Sequence, residues 1–403
     1  MVTVQEAEQI ILHHCKNYGR ELIPFELSQG RLLAENIEAD RDLPPCNRAT
    51  MDGIAICYAA LEKGQHLFKI KMTVAAGDEP EETGDDECVE IMTGAALPDS
   101  TDTVIRYEDL EINNGMAALM TNTINKGQNV HKKGKDKKQG DIVAAARQIV
   151  DATIISMAAS AGQSMLPVAR LPKTVIISTG NELVPVTAHP TPSQVRSSNN
   201  YIIDAALQQY SLRSDSIHIP DDLDTTQEQI SKCLDQYDVL ILTGGVSMGK
   251  FDYVPQVLAM LHVDCLFHKV KQRPGKPFWF GKHPNGALIF AFPGNPVSAF
   301  LCLHRYFIPW LTASLAAPYH YEEKKLYAIL GNDITFAAPL QYFMQVKVNV
   351  NELGQLVAIP VEGNGSGDFA NLLDSNAFME LPLKKNNFTK GEVYRIWPFK
   401  TIV

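Results

Sequence analysis

A chain of 403 residues exceeds the size of one hydrophobic core and predicts roughly two to four domains. Its 45% hydrophobic and 20% charged residues are ordinary for a globular protein, whereas its net charge of −10 argues against nucleic-acid or membrane-surface partners. No apolar run approaches the roughly 20 residues that cross a bilayer, and no basic-then-apolar signal segment opens the sequence.

The seven cysteines are scattered along the chain and form no CxxC pair. An odd number of cysteines without such a pair favours reduced thiols and offers no zinc site. We therefore expect a cytoplasmic protein.

The first residues predict a helix followed by extended chain, because apolar side chains repeat on one helical face before residue 13. Residues 139–170 return to apolar and small side chains, with Asp151 placed to cap a helix. Residues 45–138, which have the pattern of β-strands and turns, separate these two parts. We therefore predict that residues 1–44 and 139–170 together form one domain, domain I.

Residues 45–138 alternate short apolar strands with glycine turns, which predicts a mainly β insertion, domain II. Its strands are expected at residues 68–74, 88–92, 103–107 and 117–120. The segment HKKGKDKK, residues 131–138, is the strongest local run of charge. It is either a solvated loop or a rim that attracts anions around Asp136.

Residues 171–318, domain III, contain three apolar runs, at residues 174–178, 239–242 and 287–292. Such runs are typical of strands that are buried on both faces of a parallel sheet. Each run ends in a glycine-containing turn, and ligands of doubly wound sheets bind outside the carboxyl ends of the strands. We therefore predict a doubly wound α/β domain in which three turns line one crevice: residues 179–182, 243–252 and 293–298.

The turn after the second run reads TGGVSMGKFD, residues 243–252. Gly244 and Gly245 let main-chain N–H groups approach an anion such as phosphate, and a helix expected from about Tyr253 adds its positive dipole end. Asp252 lies at the rim, where a carboxylate holds a cation or a hydroxyl. The alternative is a tight strand-to-helix turn with a solvated aspartate.

Two further stretches of domain III carry polar or charged side chains. Ser198 and Asn199 precede an apolar helix expected at residues 201–207, and the simplest role of either is to cap that helix. Residues 269–277 read KVKQRPGKP and place four cations around a Pro-Gly turn. In an acidic protein, beside a crevice suited to phosphate, this charge density suggests an anionic substrate.

Residues 319–403, domain IV, alternate apolar segments with turns and predict a compact β domain. Its strands are expected at residues 326–330, 343–350, 357–361, 378–381 and 393–396. The loop GNGSGD, residues 363–368, is either a plain β-turn or a lid over the crevice. Of the two, we favour the plain turn.

The motifs of all these segments, taken together and in order, resemble those of the molybdopterin molybdenumtransferases, a bacterial family that is also similar to the catalytic C-terminal part of gephyrin. The resemblance covers nearly the whole chain. It is carried by PP-x(5)-MDG at 44–53, IMTGAALP at 91–98, GKD at 134–136, STGNEL at 178–183, TGGVSMG-x-x-D at 243–252, RPGKP at 273–277 and PGNPVSA at 293–299.

The resemblance implies an enzyme of molybdenum cofactor biosynthesis that inserts molybdate into adenylylated molybdopterin and releases AMP. It implies a multidomain fold with a central molybdopterin-binding-like α/β domain, a mainly β insertion and a C-terminal β-barrel-like domain. It also implies an elongated homodimer whose crevices lie between domain III of one chain and domains I and II of the other, with other cofactor-biosynthesis proteins as further partners.

The site residues that the resemblance implies fall into three groups. Those tied to activity are Asp52, Thr93, Asp136, Glu182, Asp222 and Asp252. Those that hold the substrate or its nucleotide are Ser198, Asn199, Gly244, Gly245, Ser247 and Lys269. Those that bind molybdate are Arg273, Lys276, Pro277, Pro293, Pro296 and Ser298. A pyrophosphate needs a divalent cation to neutralise it, so Mg²⁺ is expected beside Asp252 and Asp222.

The chain departs from the family pattern in places. Cys46 and Ala49 stand where many relatives have an aromatic residue and a serine, and Ser197 replaces a frequent aspartate. Leu340 and Gln345 stand where many relatives carry arginines in domain IV. These two positions leave open whether domain IV contributes to the molybdate pocket.

Two other functions are alternatives to the transferase. The first is a scaffold that holds a pterin or nucleotide without turnover; the complete acidic set and the absence of a long linker argue against it. The second is another nucleotide hydrolase that uses the same α/β module. The matching N-terminal and C-terminal segments argue against that hydrolase.

Overall fold

The computed structural model describes residues 1–246, 253–316, 325–363 and 365–402. The chain forms two compact units. The larger unit contains Met1–Glu21, Gly30–Leu32 and Pro167–Val403, and the smaller unit contains Leu22–Gln29 and Leu33–Leu166. Within the described residues, none of the helices has both the length and the apolar character needed to cross a membrane.

The elements of residues 1–169 are mainly short strands. The helices are α1 Val4–His13, α2 Tyr58–Glu62 and α3 Ala152–Ser160, with 3₁₀ turns at Phe25–Leu27 and Tyr107–Asp109. The strands are β1 Arg20–Pro24, β2 Ile37–Glu38, β3 Arg48–Ala49, β4 Gly53–Ile56, β5 Leu67–Val74, β6 Glu87–Ile91, β7 Thr103–Arg106, β8 Leu110–Asn113, β9 Met116–Leu119, β10 Val130–His131, β11 Ile142–Ala144 and β12 Met165–Ala169.

The smaller unit is built on a six-stranded mixed sheet with the order β7-β4-β6-β5-β9-β8. Apolar side chains cover both of its faces, and Ile54 and Ala55 of β4 belong to opposite clusters. A Cβ atom at Gly53 would lie 1.8 Å from the carbonyl oxygen of Ile105, so only glycine lets β7 pair with the start of β4. The glycine of the MDG motif is therefore a packing requirement of this sheet.

The elements of residues 174–316 alternate strands and helices. The strands are β13 Thr174–Thr179, β14 Leu183–Val184, β15 Val195–Arg196, β16 Ser214–Ile219, β17 Val239–Thr243, β18 Asp264–His268, β19 Gln272–Arg273, β20 Trp279–Lys282 and β21 Leu288–Phe292. The helices are α4 Asn199–Gln208, α5 Leu223–Gln236, α6 Val254–Met260, α7 Pro296–Cys302 and α8 Ile308–Ala316, with a π-helical turn at Leu303–Phe307.

The central sheet of the larger unit has the order β16-β13-β17-β21-β20-β18. The first four strands run parallel, and β20 and β18 are antiparallel. Ile176 and Ile241 pack in the cluster on one face, whereas Val175 and Leu240 pack in the cluster on the other. Burial on both faces explains the continuous apolar runs of β13, β17 and β21 and confirms the predicted doubly wound α/β domain.

The C-terminal part of the larger unit is a small β-barrel. Its strands are β22 Leu326–Leu330, β23 Ile334–Thr335, β24 Gln341–Val350, β25 Leu356–Pro360, β26 Ala377–Leu381, β27 Asn387–Phe388 and β28 Val393–Pro398, with a 3₁₀ turn at Phe369–Leu372. Five strands pair in the order β24-β25-β22-β28-β26, and β26 pairs again with β24, which closes the barrel. The predicted barrel-like domain is confirmed.

A buried arginine joins three elements of the larger unit. The side chain of Arg305, in the π-helical turn, is 1% exposed. Its Nη1 and Nη2 donate to the two carboxylate oxygens of Glu8 in α1, at 2.8 and 3.0 Å. Its Nε lies 3.5 Å from the carboxylate of Glu380 in β26, and its guanidinium carbon lies 4.3 Å from the ring centroid of Trp397 in β28. The N-terminal helix and the barrel are thus tied to the same guanidinium.

His304, next to this arginine, is buried among aromatic rings. Its ring centroid lies 4.4 Å from that of Phe300 and 6.0 Å from that of Phe399. Its Nε2 has no hydrogen-bond partner in the described part of the chain. Burial favours the neutral imidazole and lowers the pKa of His304 to about 3.

His304 should make the protein less stable in mild acid. The unfolded chain takes up a proton on this ring below about pH 6.5, whereas the folded chain resists it, so stability falls as the pH drops below that value. Between pH 7.5 and 5.5 this residue should contribute a loss of about 1.4 kcal/mol in unfolding free energy. Urea denaturation of wild type and His304→Leu at both pH values measures it. Equal pH dependence in both proteins would contradict the prediction, and His189→Leu, at an exposed histidine, is the control.

Candidate active site

Three glycine-containing turns meet at one edge of the central sheet. In the parallel register, Ser178 of β13 is paired with Thr243 of β17, and Thr243 is paired with Phe292 of β21. The turns that follow these strands therefore leave the sheet at the same level. This is the common crevice that the sequence predicts.

A cavity of about 740 Å³ lies at this edge and has a mixed polar and apolar lining. Its apolar side chains include Leu183, Val195 and Phe369. Its polar side chains are Ser178, Thr179, Glu182, Gln194, Arg196, Ser197, Ser198, Asn199, Thr243 and Asn295. This volume and lining suit a ring system that carries hydrogen-bonding groups.

A second, smaller cavity of about 320 Å³ shares part of its wall with the first. The shared residues are Thr179, Glu182, Gly244, Gly294 and Asn295. Its further lining comprises Gly180, Asp221, Gly245, Val246, Pro277 and Pro293. A ligand with a bulky end and a compact charged end would therefore occupy both cavities. Its middle would lie against the shared wall, which is largely main chain.

The shared wall requires glycine at two positions. A Cβ atom at Gly244 would lie 2.8 Å from the carbonyl oxygen of Thr179, and a Cβ atom at Gly245 would lie 2.8 Å from Thr179 Oγ1. Thr179 Oγ1 is itself buried and has no hydrogen-bond partner in the described part of the chain. The TGG motif thus packs directly on Thr179 and covers its hydroxyl.

Two predicted residues of this turn, Ser247 and Asp252, lie outside the described residues. The helix expected from about Tyr253 is present as α6, with Tyr253 at its N-cap position. Gly244 and Gly245 both line the smaller cavity.

Ser198 and Asn199 both line the larger cavity, and neither side chain caps α4 in the simple way. Ser198 occupies the N-cap position but makes no side-chain capping hydrogen bond. Asn199 Nδ2 donates instead to the carbonyl oxygen of Gly294 at 2.7 Å, which joins α4 to the PGNP turn. Asn199 Oδ1 remains buried without a partner among the described residues.

The loop before the 3₁₀ turn at Phe369–Leu372 lines part of the larger cavity. Asn295 Nδ2 donates to Ser366 Oγ at 2.7 Å, and the main-chain N–H of Val297 donates to the carbonyl oxygen of Ser366 at 3.3 Å. Gly367 and Phe369 line the cavity beyond these contacts. The N–H of Asp368 donates to the carbonyl oxygen of Gly365 at 3.1 Å, so residues 365–368 form a β-turn, as we favoured, and hydrogen bonds to the PGNP turn place this turn beside the cavity.

Two adjacent aspartates after β16 have different surroundings. Asp221 lines the smaller cavity, and its Oδ2 accepts a hydrogen bond from the main-chain N–H of Asn181 at 3.2 Å. Asp222 is the N-cap of α5 and accepts from the main-chain N–H of Thr225 at 2.8 Å. Hydrogen bonds from the side chain and the main chain of Thr225 lower the pKa of Asp222. The family resemblance implies a role for Asp222, whereas Asp221 is the aspartate that lines the cavity. An aspartate that directly precedes a helix is the expected cap, as Asp222 is here.

Glu182 is exposed and lines both cavities. Neither Glu182 nor Asp221 forms an ion pair with another described residue, so their charges face the cavity without a protein cation. No group of three or more potential metal-ligating side chains occurs within the described ranges. A cation here would therefore be held by few protein ligands.

The residues predicted to bind molybdate are distributed over several surfaces. Pro277 and Pro293 line the smaller cavity and Pro296 the larger one. Arg273 lines a third cavity of about 540 Å³ together with Gln345 and Ser366. The remaining members lie outside the linings of these three cavities: Lys276 is exposed and Ser298 is buried. Lys269, predicted to hold the substrate, is half-buried and also lies outside these linings. Leu340 lies outside this lining as well.

Three predicted residues belong to the smaller unit. Asp52 Oδ1 accepts hydrogen bonds from the main-chain N–H and the hydroxyl of Thr93, at 2.6 and 2.7 Å. These bonds, the main-chain one first, lower the pKa of Asp52 and keep it ionised. Asp136 Oδ1 lies 3.0 Å from His131 Nε2. Asp52 and Thr93 thus form one hydrogen-bonded pair, and both aspartates are exposed.

Known protein families match this chain in three successive segments that together span most of its length. Residues 2–162 match the family described as the MoeA N-terminal region (domain I and II), residues 175–313 a probable molybdopterin binding domain, and residues 327–399 the MoeA C-terminal region (domain IV). A molybdopterin molybdenumtransferase from Synechocystis sp. is 37% identical over 401 residues, which cover 98% of this chain and 99% of that protein. The chain belongs to the molybdopterin molybdenumtransferase family.

Other members of the molybdopterin molybdenumtransferase family agree with this assignment. The Bacillus subtilis enzyme of that name is 30% identical over 98% of this chain and 93% of its own length. A solved structure of the molybdopterin biosynthesis MoeA protein from Pyrococcus horikosii superposes with a TM-score of 0.84 at 28% identity, and the match covers 100% of both chains.

Substitution of Gly180 should displace a carboxylate of the site. A Cβ atom at Gly180 would lie 2.6 Å from both carboxylate oxygens of Glu182, and the flexible side chain would give way before the main chain. Gly180→Ala should therefore lose molybdenumtransferase activity, whereas the backbone strain of about 1 to 3 kcal/mol affects stability alone. Gly391→Ala is the matched control, since Gly391 has a positive φ of 95° and no atom within 4 Å of an added Cβ. The prediction fails if both variants keep equal activity at similar melting temperatures.

Proposed function

We propose that this chain inserts molybdate into adenylylated molybdopterin, which forms Mo-molybdopterin and releases AMP. The observation that carries the proposal is the pair of cavities that share a main-chain wall at the carboxyl edge of the sheet. One is large enough for a heterocycle and the other is compact and polar. Membership in the molybdopterin molybdenumtransferase family supports the same activity.

The pyrophosphate of the substrate binds at the shared wall. The main-chain N–H of Gly245 approaches it closely because neither Gly244 nor Gly245 has a side chain, whereas the N–H of Gly244 donates to the carbonyl oxygen of Phe292 at 3.2 Å. Ser247 is the next polar residue of the motif in the sequence and a further candidate donor. The nucleotide or pterin end occupies the larger cavity beside Ser198 and Asn199.

The residues of the smaller cavity fit a bound Mg²⁺. Mg²⁺ keeps several waters and takes one or two protein carboxylates together with substrate phosphates. Glu182 and Asp221 supply two such carboxylates in one polar cavity beside the anion-binding turn. Asp252, and Asp222 as first predicted from the sequence, are the other candidates. When bound, Mg²⁺ neutralises the pyrophosphate and favours departure of AMP.

Residues 269–277, the cation-rich segment around Pro274-Gly275, are here called the basic turn. Molybdate enters from the side of this basic turn. Arg273 and Lys276 are exposed cations on this turn, Lys269 lies at its start, and Pro277 leads from it to the smaller cavity. The PGNP turn, from Pro293 through Pro296 to Ser298, is the other segment proposed to bind molybdate, and its Pro293 lines the smaller cavity together with Pro277. Cations on this side attract the dianion, and the carboxylates on the other side hold the cation that faces the pyrophosphate.

Two substitutions should separate the two anion sites. Removing a charge that binds molybdate alone should cost about 1.5–3 kcal/mol, or about tenfold or more in apparent affinity. Lys276→Ala should therefore need more molybdate but regain substantial AMP release when molybdate is raised. Glu182→Gln should stay slow at every molybdate concentration, because its defect is at the cleaved bond.

AMP release is measured with purified protein and adenylylated molybdopterin, with and without molybdate. Wild-type AMP release that is independent of molybdate would overturn the proposed function. Rescue of Glu182→Gln by molybdate, with Lys276→Ala inactive throughout, would show that the two roles are reversed.

We further propose a homodimer in which Asp52, Thr93 and Asp136 complete the crevice of the partner chain. Exposed apolar side chains are frequent in two segments of the smaller unit, residues 22–27 and 142–165, and such side chains favour association. They are Leu22, Leu27, Ile142, Ile149 and Met165.

Mixed dimers test the shared site. Asp52→Ala and Glu182→Gln chains should each be inactive alone, whereas a mixed dimer holds one site with neither substitution. After subunit exchange, random mixing should restore about a quarter of wild-type activity. Exchange is verified with differently tagged chains. Failure to regain activity despite verified exchange would exclude a site shared between subunits.

The four-domain division and the cytoplasmic location remain part of this proposal. The boundaries are residues 1–44 with 139–170, residues 45–138, residues 171–318 and residues 319–403. Pairing of β2 with β11 supports a domain I built from two segments, because it joins chain on either side of the mainly β part.

A further inference from the structure

The basic turn is supported from below by a buried glutamine. Gln272 is 0% exposed, although its neighbour Arg273 is exposed. Its Nε2 donates to the carbonyl oxygen of Gly275, in the middle of the turn, at 3.3 Å. Its Oε1 accepts a hydrogen bond from the hydroxyl of Tyr306. A chain of two hydrogen bonds therefore runs from Tyr306 through Gln272 to the turn.

Tyr306 fixes which group donates in each of these two hydrogen bonds. It is 2% exposed, lies in the π-helical turn Leu303–Phe307 and packs against Phe278, with ring centroids 5.1 Å apart. Burial raises the pKa of Tyr306 well above its usual value, so the phenol is a donor throughout the physiological range. Because the phenol donates to Oε1, the amide nitrogen of Gln272 is directed to Gly275. π-Helical turns are frequent at functional sites.

The turn has little space to shift relative to this support. A Cβ atom at Gly275 would lie 2.7 Å from Gln272 Nε2 and 3.0 Å from Cys302 Sγ. The ends of the turn are held by the main chain, since the N–H of Val270 donates to the carbonyl oxygen of Lys276 at 2.9 Å and β19 pairs with β24. The ends of the turn are already fixed by main-chain hydrogen bonds. The side chain of Gln272 thus determines the position of Gly275, in the middle of the turn.

We propose that Tyr306 and Gln272 are positioning residues that set the direction of Arg273 and Lys276 and thereby the affinity for molybdate. The inference rests on the proposed function of the basic turn as the oxyanion site. Neither residue touches the oxyanion, because both are buried beneath the turn. Their effect passes through the Gly275 carbonyl to the two cations on either side of it.

Tyr306→Phe removes the phenolic hydroxyl and keeps the packed ring. It should raise the KM for molybdate roughly three- to tenfold, the effect of one hydrogen bond, and leave kcat at saturating molybdate within about twofold. The KM for adenylylated molybdopterin should not change. Tyr18→Phe is the matched control, because the Tyr18 hydroxyl is also buried but has no hydrogen-bond partner among the described residues.

A second variant, at Gln272, tests the middle residue of the hydrogen-bonded path from Tyr306 to Gly275. Gln272→Met keeps the side-chain length and removes both hydrogen bonds, so it should give a similar rise in the KM for molybdate. In the double variant the two effects should not add, since both substitutions interrupt one path. Additive effects, or a lower melting temperature with an unchanged KM for molybdate, would overturn the inference and leave a structural role.

Molybdate binding measured by calorimetry separates this inference from the proposed function. Weaker binding to Tyr306→Phe than to wild type supports the inference without turnover. If wild type neither binds molybdate nor releases AMP in response to it, both proposals fall. If wild type does both and Tyr306→Phe matches it, the positioning role alone is wrong.

Discussion

A buried guanidinium organises the larger unit. Arg305 has almost no solvent contact, and an unpaired charge there would be strongly unfavourable, so Glu8 and Glu380 have to be present with it. These two carboxylates belong to the first helix and to a barrel strand. The next residue is Tyr306, which reaches the basic turn through Gln272. Distant parts of the sequence therefore have to assemble around one short helical segment before the basic turn has a defined position.

Much of this fold could be predicted from the sequence, because burial on both faces leaves a continuous apolar run that is easy to recognise. Strands β13, β17 and β21 are of this kind, and their turns contain the expected glycines. The antiparallel strands β18 and β20, on either side of the basic turn, were not predicted. They carry mixed side chains rather than a continuous apolar run.

The candidate site was predicted in its motifs but not in its contacts. Asp221 and Asp222 are chemically identical and adjacent, and only the start of α5 determines which of them is used as a cap. The hydrogen bond between Asn295 and Ser366 joins segments 71 residues apart, which single-sequence patterns do not show. For the same reason Gln272, an uncharged residue within a run of cations, gave no signal.

The wall between the two cavities is formed largely by main chain at Thr179, Gly244 and Gly294. Peptide groups do not titrate, so this main-chain surface keeps the same polar character at any pH at which the protein is folded. Variation of side chains during evolution has little means of changing it, because any larger residue at Gly244 collides with Thr179. Descendants of such a protein can thus exchange the side chains around the two cavities, while the main-chain wall between the cavities stays constant.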